Sequence, residues 1–217
     1  MHYHMEIIMP PMDHVNVVKT IVEVMDPFNE NNESEDGSSF KFWDWYQIGG
    51  RYSGEKVRVS VPKDKLDAFF EALKTRDVTV SGVTFGKQKI MPESQIPMVD
   101  ALWREICPGF GDACPIFDHF GQTEHPEDTC TIDLLPENLS AAAVMIVGPD
   151  FDGKMIANYL IHQEYWNGVS SIKTIWDGNV KSAVKMYEEK IKNYNKDYAE
   201  KIAVKSAWLA VTVDYHA

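Results

Sequence analysis

The stretch that most constrains this chain is Phe40-Lys41-Phe42-Trp43-Asp44-Trp45-Tyr46-Gln47-Ile48-Gly49-Gly50-Arg51-Tyr52-Ser53-Gly54, which packs six aromatic rings, three glycines, an arginine and an aspartate into fifteen residues. The rings carry flat apolar faces with indole N–H or phenol O–H tips that need partners when buried. The glycines permit positive φ or close approach to the backbone, and Arg51 offers a planar fork matching a carboxylate or phosphate. Two readings stay open. In one, a core strand ends in a tight turn and Trp43, Trp45 or Tyr46 fills the core. In the other, the stretch walls a pocket for a flat anionic molecule such as a nucleotide. Trp43, Trp45 and Tyr46 would then stack its ring, Gly49, Gly50 and Arg51 would hold its phosphate or carboxylate, and Asp44 and Tyr52 would complete the wall.

Composition narrows the classes. The chain has 217 residues, of which 44% are hydrophobic and 12% aromatic, enough to bury a sizeable core as a single α+β domain over residues 1–217. A formal charge of −12 argues against nonspecific binding to nucleic acid phosphates. No apolar run reaches membrane-spanning length, and the start of the chain lacks the basic and apolar regions of a signal peptide. Three cysteines, an odd number, fit a reducing cytosol, so a cytoplasmic location is expected.

Hydrophobic period gives the elements. His2 to Met9 reads as a strand, and Asp13 caps a helix burying Val17, Val18, Ile21, Val22 and Met25. Residues 26–39 form an acidic loop, a solvated connection or a lid beside the aromatic stretch. Val57 to Val61 alternates as a strand, and Pro62-Lys63-Asp64 opens a helix to about Lys74 with Leu66, Phe69, Phe70 and Leu73 inward. Val78 to Phe85 reads as a strand, and Pro97 to Ile106 as a helix stopped by Cys107-Pro108-Gly109. Ala141 to Val147 and Lys154 to Ile161 make a hairpin, Val180 to about Lys201 one long helix, and Trp208 to His216 a last strand. The sum is a mostly antiparallel sheet with helices on one face and a loop-rich insertion near residues 107–140. The tract from His162 to Gly168 repeats the aromatic, polar and glycine flavour of the central stretch, and its Trp166 would form an opposite pocket wall.

Metal and proton chemistry have two candidate places. Cys107, Cys114, His119, His125 and Cys130 are residue types that zinc selects, but without a Cys-x-x-Cys pair; the alternative is small apolar thiols and loop histidines. At the chain ends, strand alternation puts His2, His4 and Glu6 on one face of the first strand and Thr212, Asp214 and His216 on one face of the last. If these strands are neighbours, His2, His4, Asp214 and His216 could bind Zn²⁺ or Mn²⁺ and activate water, or move protons without metal.

The segment from Trp43 to Gly54, with an opening strand and a closing hydrophobic-Asp-x-His strand at Val213-Asp214-Tyr215-His216, resembles a group of uncharacterised phage and bacterial proteins. Some of those carry Cys-x-x-Cys knuckles that this chain lacks. The resemblance implies a phage setting and no particular activity. With the pocket reading it leads to an expected small-ligand-binding protein, one that sequesters a nucleotide-like molecule such as a host defence signal. The alternatives are a metal-dependent hydrolase or phosphoesterase using the terminal His/Asp face, and an acidic inhibitor of a host protein. A homodimer is compatible with exposed aromatics, though no interface is legible.

Overall fold

The computed structural model describes residues 1–32, 41–75, 96–110, 128–162 and 176–217. Among these, six strands form one sheet: β1 (His2–Met9), β2 (Trp45–Ile48), β3 (Thr129–Thr131), β4 (Ala143–Pro149), β5 (Met155–His162) and β6 (Leu209–His216). The order is β2-β6-β1-β4-β5, and β3 follows β2 along the outer edge of β6. The central pair, β1 and β4, is parallel; the other pairings are antiparallel. The expected α+β class with a mostly antiparallel sheet is what the chain adopts.

The layering differs from expectation, because the central strands are apolar on both sides and each side needs a cover. On one side Met5, Ile7, Met9, Met145, Val147, Val211, Val213 and Tyr215 pack with α1 (His14–Met25). On the other, Ile8, Val144, Ile146 and Ala210 pack with α5 (Val180–Ile191) and Ile202 of α6 (Lys196–Ile202). Helices therefore occupy both faces. A third cluster lies between α3 (Lys63–Thr75) and α4 (Ile96–Ile106), where Phe69, Leu73, Val99, Leu102, Trp103 and Cys107 are buried together.

Several local expectations need correcting. Asp13 does cap α1, accepting from the Asn16 N–H at 3.0 Å, but the buried stripe is Val17, Thr20, Ile21, Val24 and Met25, leaving Val18 and Val22 exposed. Phe70 is exposed on α3. Residues 57–61 are not a strand. A helical turn, α2 (Glu55–Arg58), precedes successive turns closed by Val59 N–H to Glu55 O and Val61 N–H to Arg58 O. The alternating pattern was real but no sheet edge received it. The expected long helix breaks after Ile191, because the Asn195 side chain accepts from the Asp197 and Tyr198 N–H groups and starts a new helix. The hairpin of β4 and β5 is as expected, turning at Gly153 with φ 86°. In the region of the expected insertion, residues 128–140 contain β3 and a short 3₁₀ turn, Ile132–Leu134. Residues 111–127, the strand expected at Val78 to Phe85 and residues 33–39 of the acidic loop lie outside the described residues.

Candidate functional site

The first and last strands are neighbours along their whole length. Their register sets His2 opposite His216, His4 opposite Asp214 and Glu6 opposite Thr212. Side-chain alternation puts all six on the face that carries Ile8 and Ala210 one rung further on. A sheet face that is apolar at one end thus becomes a polar ladder at the other. Its inner rungs are buried: Glu6 and Thr212 are 0% exposed, Asp214 1% and His4 5%.

The glycine-rich segment folds over this ladder. Gly49, Gly50 and Gly54 all have positive φ, at 72°, 56° and 74°. A Cβ on Gly49 would sit 2.4 Å from Asp128 Oδ2, and one on Gly50 would sit 2.5 Å from the Asp214 Cβ. The glycines are there to let backbone reach two buried carboxylates. The Arg51 N–H donates to Asp214 Oδ2 at 3.0 Å and the Gly54 N–H to Asp128 Oδ1 at 2.7 Å, while the Ser53 hydroxyl donates to Asp128 Oδ2 at 2.6 Å. Gly49 donates its N–H to Thr212 O. The expected phosphate cradle at Gly49 and Gly50 is therefore taken by the protein's own acids, an anion nest filled from within.

Lys56 closes the inner end. Its Nζ lies 2.9 Å from Glu6 Oε2 and donates to Asp128 O, Ala210 O and Thr212 Oγ1 at 2.6, 2.9 and 2.9 Å. Glu6 Oε1 accepts from the Thr212 hydroxyl at 2.7 Å and meets His4 Nε2 at 2.9 Å. Burial alone would push the Glu6 carboxyl up. The Lys56 charge, the His4 hydrogen bond and charge, and the Thr212 hydroxyl outweigh it and hold the carboxyl below its ordinary value. Glu6 is thus a carboxylate that can only accept, so the His4 Nε2 carries the proton between them.

At its outer end the ladder meets a cleft of about 320 Å³ lined by Tyr3, His4, Arg51, Tyr52, Glu55, Arg58 and residues 140–142. The Tyr52 ring stacks on His4, with centroids 4.8 Å apart and planes 14° from parallel. Burial, then the Asp214 charge, pushes the Tyr52 phenol up to about 12, and its O–H donates to His2 O. Arg58 pairs with Glu55 at 2.7 Å. In a chain of net charge −12 this wall concentrates guanidinium groups.

The remaining predicted residues scatter around this centre. Trp43 is in the core, 7% exposed, donating its indole N–H to Met25 O, and Tyr46 packs edge-on against it. These two do not stack a ligand beside Arg51; they are packing, because Tyr46 and Ile48 fall on the α1 side of β2. Trp45 is 44% exposed and meets His2 edge-on at 5.6 Å. Asp44 pairs with His216 at 2.9 Å. Trp166 lies outside the described residues.

The terminal histidines and Asp214 come together in register but not as a ligand set. His2 Nδ1 bonds Asp214 Oδ1, His4 Nε2 bonds Glu6 and His216 Nδ1 bonds Asp44, each at 2.9 Å. Among the described residues no three His, Cys, Asp or Glu are grouped so as to hold a metal ion. Cys107 packs between α3 and α4 and Cys130 sits on β3, and burial pushes both thiols up, away from thiolate character. Cys114, His119 and His125 lie outside the described residues.

Sequence reasoning missed Lys56, Asp128 and Arg58. Lys56 stands just before the run that alternates like a strand, and nothing local marks it as buried. One signal was available: Glu6 shares a strand face with Ile8, and an acid facing the core demands a buried cation. Nothing in the sequence said which. Among the described residues no helix is long and apolar enough to cross a membrane. Comparison of the chain with protein-family models, curated proteins and solved structures gave no match.

Proposed function

We propose that this protein binds a small anionic molecule in the cleft where β1 and β4 begin. The observation that carries the reading is the wall itself: Arg51 and Arg58, with the stacked His4 and Tyr52, face one concavity on a strongly acidic chain. Guanidinium forks suit phosphate or carboxylate, and the volume lies at the small end of ordinary ligand sites. The ligand's flat part, where it has one, would lie against Tyr52 or Tyr3 rather than the expected tryptophans. The resemblance to phage proteins suggests sequestration of a nucleotide-like signal as the biological role.

Calorimetric titration with pyrophosphate and with adenosine monophosphate tests the reading. Binding that weakens about tenfold or more in Arg58→Ala and Arg51→Ala, roughly 1.4 kcal/mol each, is expected. Arg51→Ala keeps the backbone N–H that holds Asp214, so the fold should survive. Absence of binding at millimolar concentration, or binding indifferent to both substitutions, refutes it.

A further inference from the structure

The Glu6–His4 pair is more than a binding wall requires. A buried lysine–glutamate pair is seldom worth its desolvation compared with apolar residues of the same size. Here the glutamate's other oxygen is spent on an imidazole that lines the cleft. The carboxylate, paired with Lys56, faces His4 Nε2, so a neutral imidazole there keeps its proton on Nε2 and its lone pair on Nδ1. The stacked Tyr52 ring holds the imidazole plane. A carboxylate that sets the tautomer and orientation of a histidine is the arrangement general bases use.

We propose that the cleft is catalytic and hydrolyses a phosphoester, with His4 as general base and Glu6 as a positioning residue. The inference rests on the anion-binding reading above. The Arg51 and Arg58 guanidinium groups would hold the non-bridging phosphate oxygens, where negative charge grows in the transition state. As the oxygen of a water molecule forms its bond to phosphorus, His4 Nδ1 takes the water proton. The ester P–O bond breaks and its electron pair leaves with the departing alkoxide or phenoxide. The imidazolium then returns its proton to that oxygen or to solvent, so one water is consumed and one ester bond is cleaved without oxidant or reductant. Lys56 neutralises Glu6 throughout, so the Glu6 charge is balanced within the fold.

The test uses bis(p-nitrophenyl) phosphate as substrate and pyrophosphate as the binding probe. The wild-type chain should release nitrophenolate, and His4→Gln should lower kcat about 100-fold or more while pyrophosphate binding stays measurable and falls by far less than kcat. In His4→Ala, added imidazole should restore part of the rate, a readout that a structural role for His4 would not move. Should His4→Gln fail to fold, rescue of His4→Ala carries the same test. Pyrophosphate binding without wild-type turnover overturns the catalytic inference and leaves the binding one standing. Turnover equal in wild type and His4→Gln, or lacking imidazole rescue in a folded His4→Ala, also overturns it. Neither binding nor turnover removes both.

Discussion

Replacing Lys56 with alanine should be among the most damaging substitutions available outside the apolar core. The ammonium makes four contacts, to Glu6 Oε2, Asp128 O, Ala210 O and Thr212 Oγ1, all between 2.6 and 2.9 Å. Both charges are nearly inaccessible, Lys56 at 4% and Glu6 at 0%. Removing one partner of such a pair strands the other charge, a loss of about 3–5 kcal/mol against a total stability on the order of 5–15 kcal/mol. The pH dependence carries the sharper signature. In the wild type the Glu6 carboxyl sits below its ordinary value, so its contribution is present at neutral pH and fades only as pH falls through that lowered value. In Lys56→Ala the opposing charge is gone and burial dominates, so the folded chain prefers protonated Glu6. The deficit relative to wild type should then be widest near neutral pH and shrink toward about pH 5. Urea unfolding followed by circular dichroism at both pH values reads this directly. Joint replacement of Lys56 and Glu6 by methionine should lose less than Lys56→Ala alone. A Lys56→Ala loss under about 1 kcal/mol, or one that does not narrow on acidification, would refute the buried-pair account.

Gly50→Ala should lower the melting temperature, since left-handed backbone costs an L-residue about 1–2 kcal/mol and the new Cβ would collide with Asp214; an unchanged melting curve would sink the close-approach argument. Trp103→Ala should cost about 3–5 kcal/mol in chemical denaturation, because the ring is fully buried between α3 and α4. Asp13→Ala should cost about 1 kcal/mol by the same assay, through loss of the α1 cap.

The parts of this fold that were legible in the sequence are those where local pattern and tertiary role agree. Alternation gave β1, apolar runs gave β4, β5 and β6 to within one or two residues, and Asp13 marked the start of α1. Helix faces were harder. Val18 and Val22 are as apolar as Val17 and Val24, and only the sheet's position decides which pair turns inward. The strand pattern of residues 57–61 failed because Lys56 anchors its turn to Glu6, fifty residues earlier in the chain, and no local rule sees that distance. For the candidate site, alternation gave the face shared by the residues at each chain end, but whether the two ends pair depended on topology; Arg51 and Tyr52, expected in a ligand wall, line the cleft. What its glycines approach was not legible, since the carboxylates beside them belong to Asp128 and Asp214, remote in sequence.

The insertion of β6 between β1 on one edge and β2 with β3 on the other has a consequence in time. About 200 residues separate β1 from β6, and at ordinary synthesis rates that interval is about 10–40 s. Throughout it β1 has no partner on one edge, β2 and β3 have none of their described pairings, and Glu6 and Lys56 lack the Thr212 hydroxyl and Ala210 carbonyl that complete their enclosure. The nascent chain therefore holds the Glu6–Lys56 pair in unfinished form. Folding should be completed only by the arrival of β6, which separates a chain exposing polar strand edges from one whose β1, β2 and β3 edges are paired.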